Sequence, residues 1–299
     1  MKQPLLQNTR VLVSVALVAL LLASCKKSET AGPIVDYASN IRPTTGSSNA
    51  YVTNLFEFNP APGQFINTGL ADTVAAKATL KTDQGLVSLG AWGGYIIVGF
   101  DHTVINQKDS TDFVVYGNAF ALFSEPGIIW VMQDTNGNGK PDDTWYEVKG
   151  SASNTAGYVR NYSVTYTRPA CDTCSVPWKD NQGKTGVIQT NVFNTQAYFP
   201  KGIKGNTATY TGSLLPSTKI NMDDPSYITS TSWDYGYADN TAGGDKIDIS
   251  SAMDDKGNPV QLKGIDFIKV QTGILFNMGW LGEQSTEFCG AADLSLLKH

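Results

Sequence analysis

From residue 95 onward the chain is cut into short apolar runs by turn residues that recur about every ten positions, the spacing of an all-β domain. YIIVGF (95–100), DFVVYG (112–117) and GIIWVMQ (127–133) are followed by TWYEVKG, SVTYTR, TATYTG, KIDIS and DFIKVQTG. In DFIKVQTG, Ile268 and Val270 fall on one face while Lys269 and Gln271 fall on the other, the period of a half-buried strand. Turn chemistry separates the runs, as in Asp255-Lys256-Gly257-Asn258-Pro259. Gly at 29 and Tyr at 13, with many Thr and Asn, agree with strands and turns rather than helices. No repeat of fixed period and no second linker interrupts the pattern. The expectation is an all-β fold: a single β-sandwich domain, jelly-roll-like, with helix confined to the N-terminus and to short turns such as 249–253.

The N-terminus reads differently. Lys2 and Arg10 flank the start of an apolar segment, 11–22, that only Ser14 interrupts. It is too short to span a bilayer comfortably. It ends in Leu22-Ala23-Ser24-Cys25, which resembles the lipobox of bacterial lipoprotein signal peptides. The resemblance implies removal of residues 1–24 and lipidation of Cys25. Residues 25–49, polar and rich in Gly, Pro and Ser, are then a flexible tether, and 50–299 the folded domain. The tether begins Lys26-Lys27-Ser28-Glu29 and resembles those of Bacteroidetes surface lipoproteins, which implies an outer-membrane anchor facing the cell exterior. The whole chain carries 22 basic and 27 acidic residues. Loss of Lys2 and Arg10 brings the formal charge from −5 to near −7. That balance argues against nucleic acid, whose phosphates need a basic face, and against binding an anionic membrane by charge.

One loop carries more oxygen than a turn requires. In DTNGNGKPDD, Asp134, Asn136, Asn138 and Asp142 occupy positions one, three, five and nine of a calcium loop. Gly139 stands at the sixth, where a sharp turn is needed, and the Lys140 carbonyl at the seventh. Closely spaced carboxylates repel one another unless a cation sits among them. The twelfth position is Trp145 rather than a bidentate Glu, and the flanks are strand-like, so this is not an EF-hand. Asp143 or Glu147 would supply the missing oxygens. A plain Asn-Gly hairpin is the alternative. The expectation is a structural calcium of modest affinity, rigidifying one end of the sandwich.

Cys171 and Cys174 in PACDTCSVPW admit three readings: a redox pair, half a zinc site, or a disulfide closing a small loop. The surroundings do not open a helix, and the only histidines are His102 and His299, so the disulfide is expected. Cys289 is expected as a buried thiol. Trp233, Tyr235, Tyr237 and Asp239, in WDYGYADN, interleave rings with acids and amides. Such a set suits a sugar or a corrin macrocycle, with core packing of Trp233 and one Tyr as the alternative. Trp178 is expected as an exposed aromatic. The Asp101-His102 pair is expected in a surface turn, since no G-x-S-x-G elbow accompanies it. Glu125, between two strands, is a candidate for one of a pair of glycosidase carboxylates. Glu283, Glu287 and Asp293 are expected to be solvated or to serve a second cation.

The run DFVVYGNAFALFSEPGIIWVMQDTNGNGKPDDTWYEVKGS resembles a family of Bacteroidetes cell-surface lipoproteins, as do WDYGYADN and GIDFIKVQTGILFNMGWLGEQSTEFCGAADL. The resemblance spans roughly 86–294. It implies a jelly-roll sandwich without an established catalytic motif. Some members lie beside TonB-dependent uptake systems, including ones for corrinoids, which implies ligand capture by association. The functional expectation is therefore a non-catalytic, calcium-stabilised binding module for a glycan or corrinoid-like nutrient, assisting a TonB-dependent transporter. A polysaccharide-acting hydrolase and an adhesive surface protein are the alternatives.

Overall fold

The computed structural model describes residues 40–297. The leader, Cys25, most of the expected tether and His299 lie outside the described residues. The strands are β1 (Asn54–Asn59), β2 (Val87–Ser88), β3 (Tyr95–Ile105), β4 (Phe113–Tyr116), β5 (Gly127–Met132) and β6 (Tyr146–Val148). Next come β7 (Val159–Thr167), β8 (Val176–Asp180), β9 (Thr185–Ile188), β10 (Thr207–Leu214), β11 (Ile220–Asn221) and β12 (Thr229–Ser230). The last are β13 (Tyr237–Ala238), β14 (Asp245–Ile247), β15 (Ala252–Met253), β16 (Gly264–Thr272), β17 (Glu287–Phe288) and β18 (Gly290–Asp293). Every ladder between them is antiparallel, and the domain is an all-β, jelly-roll-like sandwich.

A seven-stranded sheet runs β1-β3-β16-β5-β6-β15, with β13 sharing the edge of β5 that β6 also uses. A four-stranded sheet runs β10-β7-β8-β9, and a three-stranded one β14-β4-β18. The main core lies between the large sheet and the three-stranded one. Ile96, Val98, Phe100, Ile129, Val131, Ile268 and Val270 from the first pack with Phe113, Val115, Ile247 and Ala291 from the second. Each such side chain contributes roughly 1.5–3 kcal/mol by leaving water. Tyr162, Val164, Tyr166 and Tyr210 of the four-stranded sheet form a second core with Trp92 and the half-buried Tyr95.

That second core corrects the reading of β16 as half-buried. Its residues alternate between faces as expected, but its second face is also covered. Gln271 is fully buried and its Nε2 donates to the carbonyls of Gly93 and Thr211 at 2.9 and 3.0 Å. Lys269 lies with its Nζ 4.4 Å from the Tyr95 ring centre and 5.7 Å from that of Trp130.

Three further departures have physical causes. A six-residue helix, α1 (Thr73–Ala78), escapes the sequence pattern because it is shorter than two turns; Asp72 caps it by accepting from the Ala75 amide at 2.8 Å. His102 does not sit in a surface turn. It is buried in β3, with Nδ1 2.7 Å from Asp101 and Nε2 3.0 Å from Asp293. Finally, the stretch 40–49, read as tether, is fastened to the sandwich. Arg42 and Thr103 are joined by backbone and side-chain hydrogen bonds, and the Arg42 guanidinium meets the fully buried Asp266 at 2.8 Å. Cys171 and Cys174 are disulfide-bonded, and Cys289 is a buried free thiol.

Candidate binding site

Three carboxylates from distant parts of the chain meet where β5, β13 and β17 begin or end. The β13–β5 ladder sets Ala238 opposite Gly127, so Asp239 follows directly beside Glu125, whose amide donates to the Asp239 carbonyl at 3.0 Å. Asp239 takes a positive φ of 51°, a conformation that Asp tolerates better than most residues. This turn aims its carboxylate inward. Oδ1 accepts from the Ala119 amide at 2.8 Å and Oδ2 from the Glu287 amide at 2.9 Å. Gly117 makes room for it: a Cβ there would lie 2.3 Å from Asp239 Oδ1. Ser285 ties the other two together, its amide donating to Glu125 Oε1 and its hydroxyl to Glu287 Oε1.

One oxygen from each of Glu125, Asp239 and Glu287 lies within 4.8 Å of the others. Burial, then the charge of Glu287, pushes Glu125 and Asp239 well above the usual carboxylate range. Glu287 is raised as well, by burial, against the lowering effect of its hydrogen bonds to Glu125 and Ser285. A fourth acid, Glu283, is raised to about 8, chiefly by burial.

Three of these acids face a cavity of about 270 Å³. Glu125, Glu283 and Glu287 line it; its apolar wall includes Phe120, Phe123, Leu70, Leu86 and Met278. Phe120 and Phe123 stack at 4.7 Å, and Phe120 is 59% exposed, so its ring forms part of an open rim. Among the described residues no Lys, Arg or His lines the cavity. A second cavity, of about 210 Å³, is lined by Trp178, Leu275 and Phe276 and shares Glu283 with the first.

The aromatic motif expected to bind ligand is thus split. Trp233 and Tyr237 are core residues, packed with Ile128, Leu215 and Ile274. The Tyr237 hydroxyl accepts from the Ala152 amide at 3.1 Å. Tyr235 is exposed, and only Asp239 joins the acidic group. Trp178 is half-buried on β8 rather than exposed, and lines the second cavity. Glu283, Glu287 and Asp293, expected in solvent as one option, are all buried. Phe120 and Phe123 went unremarked in the sequence; two aromatics ahead of the acid in FALFSEPG are their only trace there.

The oxygen-rich loop lies apart from this group in the chain, directly after β5. Asp134 is buried, and its carboxylate accepts from the amides of Asn138 and Gly139 at 3.1 and 2.8 Å. Gly137 and Gly139 take φ of 71° and 72°, the left-handed values that such a tight winding needs. Asp142 accepts from the side-chain amides of Asn136 and Asn138, which hold its carboxyl below the usual range. Asp143 accepts from the amide and hydroxyl of Thr135, and the Lys140 carbonyl from the Asp142 amide. The side-chain oxygens of Asn136 and Asn138 accept from the amides of Asn138 and Lys140 at 3.0 and 2.8 Å.

No family model and no curated protein matches this chain. Among the described residues no helix is long and apolar enough to cross a membrane.

Proposed function

We propose that this chain is a lipid-anchored surface protein, held to the outer membrane through Cys25, that captures a small neutral ligand of sugar type in the cavity above Glu125, Glu283 and Glu287. One observation carries the reading: a partly open aromatic wall faces buried carboxylates with no basic side chain lining the space. Sugar hydroxyls donate to carboxylates while C–H faces rest on rings. At about 270 Å³ the cavity falls just below the ~300–1,000 Å³ that encloses drug-sized ligands, which suits a sugar unit better than a whole corrin macrocycle.

The hydrolase alternative is weaker on geometry. Retaining glycosidases hold their two carboxyl groups about 5–5.5 Å apart and inverting ones about 6.5–9.5 Å. One oxygen of Glu125 and one of Glu287 lie within 4.8 Å of each other. Binding without turnover, in support of a TonB-dependent transporter, is the reading that remains. A structural calcium in the 134–143 loop belongs to this proposal.

The test is calorimetric titration of the purified chain with a panel of neutral mono- and oligosaccharides. Binding by at least one sugar, weakened about tenfold in Phe123→Ala (a loss near 1.4 kcal/mol), is expected. No heat with any sugar, or a Phe123→Ala affinity equal to wild type, would remove the proposal.

A further inference from the structure

We propose that Glu125, Asp239 and Glu287 together hold a hard divalent cation at the edge of the cavity, at a site separate from the 134–143 loop. The inference deepens the binding reading and rests on it for the role of the ion, though not for its presence.

Two oxygens bound to one calcium at ~2.3–2.6 Å lie no more than about 5.2 Å apart. The three carboxylates meet this limit, with oxygens within 4.8 Å of one another. Like charges this close need a cation or shared protons. Among the described residues no basic side chain lines the cavity, and Arg42, His102, Lys108 and Arg160 pair with other acids. A second observation points to a missing ligand. Glu283 and Ser230 line the same cavity and are 3% and 1% exposed, yet Glu283 Oε2 and Ser230 Oγ have no hydrogen-bond partner. Buried polar atoms without partners are rare in folded proteins, and both of these residues line this cavity.

The chemistry of the set selects the ion. The candidate ligands are carboxylate oxygens alone, without imidazole or thiolate, which suits calcium, magnesium or manganese rather than zinc or copper. The outer contacts are those of a metal site. Two backbone amides fix Asp239, and Ser285 orients both Glu125 and Glu287. Glu125 and Glu287 line the cavity while Asp239 does not, so an ion held by all three would lie at the cavity's edge. Adjacent hydroxyls of a sugar would complete the shell there.

The experiment is crystallography of the intact wild-type chain grown with Mn²⁺, read from anomalous maps, with sugar titration in the presence and absence of chelator alongside. The expected result is an anomalous peak in contact with all three carboxylates, absent from Asp239→Asn. A wild-type map without that peak, showing Glu125 and Glu287 joined through a shared proton, overturns the inference. The wild-type map decides even where Asp239→Asn does not fold. A peak without sugar binding upholds the ion and removes the binding reading. Sugar binding that persists in chelator, in a chain whose map lacks the peak, removes the ion and leaves the binding reading intact.

Discussion

At the scale of single residues, the half-buried Lys269 and the buried His102 carry pH-dependent stability of opposite sign. Burial lowers Lys269 to about 8, against a smaller opposing pull from Glu57. The unfolded value is about 10.4, so between about 8 and 10.4 the unfolded chain keeps a proton that the folded one has released. Stability therefore rises with pH across that window. Lys269→Met is expected to melt above wild type at pH near 7, and the gap to close toward pH ~10 in thermal melts. His102 runs the other way. Burial lowers its affinity for a proton, but hydrogen bonds and charge from Asp293 and Asp101 outweigh that and raise it. Its contribution is complete below about 6.5 and is lost as pH climbs through the raised value. His102→Gln should cost about 3–5 kcal/mol in denaturant melts near pH 6, because Asp293 is left buried without its partner, and less at higher pH. Neither residue announces its burial in the sequence. Lys269 stands where the alternation reads as outward, and that face turns out to be covered; His102 shares the phase of Ile96, Val98, Phe100 and Val104, the core face of β3, but its polarity argued for a turn.

At the scale of elements, the loop after β5 and the strap ahead of β1 meet on one side chain. Asp266 of β16 accepts from Arg42, from the Thr103 hydroxyl and, at 2.7 Å, from the amide of Asp134. Arg42→Ala is expected to lose about 1.5–3 kcal/mol in chemical denaturation, a hydrogen-bonded ion pair to a buried carboxylate, and to free the 40–49 stretch to proteolysis. Asp134 is the wrong place to test the metal, since its carboxylate also holds two backbone amides. Asp142 is the right one. Asp142→Ala should lower the melting temperature in calcium and leave it nearly unchanged in chelator; equal loss in both would count against calcium in the loop. The strands, the disulfide and the loop's winding were legible because each is written within a few neighbouring residues. The carboxylate group was not. Glu125, Asp239 and Glu287 are separated by more than a hundred and by nearly fifty positions, and only the β13–β5 ladder and the Asp239–Glu287 hydrogen bond bring them together. Asp239 was singled out for the wrong neighbours, the rings of Trp233 and Tyr237.

At the scale of the whole molecule, the anchor and the cavity make separable predictions. Cys25→Ala is expected to move the protein from the membrane pellet to the soluble fraction, with sugar affinity unchanged; continued pelleting would refute the lipid anchor. Gly117→Ala should fold less stably and bind sugar less well, because the added methyl would lie within 2.3 Å of Asp239 Oδ1. Glu283 has a consequence of its own. It is the party wall of two chambers, with Phe120 and Phe123 on one side and Trp178 on the other. A guest of two linked units could straddle that wall and fill both chambers for the entropic cost of a single association, an advantage no free monomer has. The receptor would then favour short chains over their building blocks.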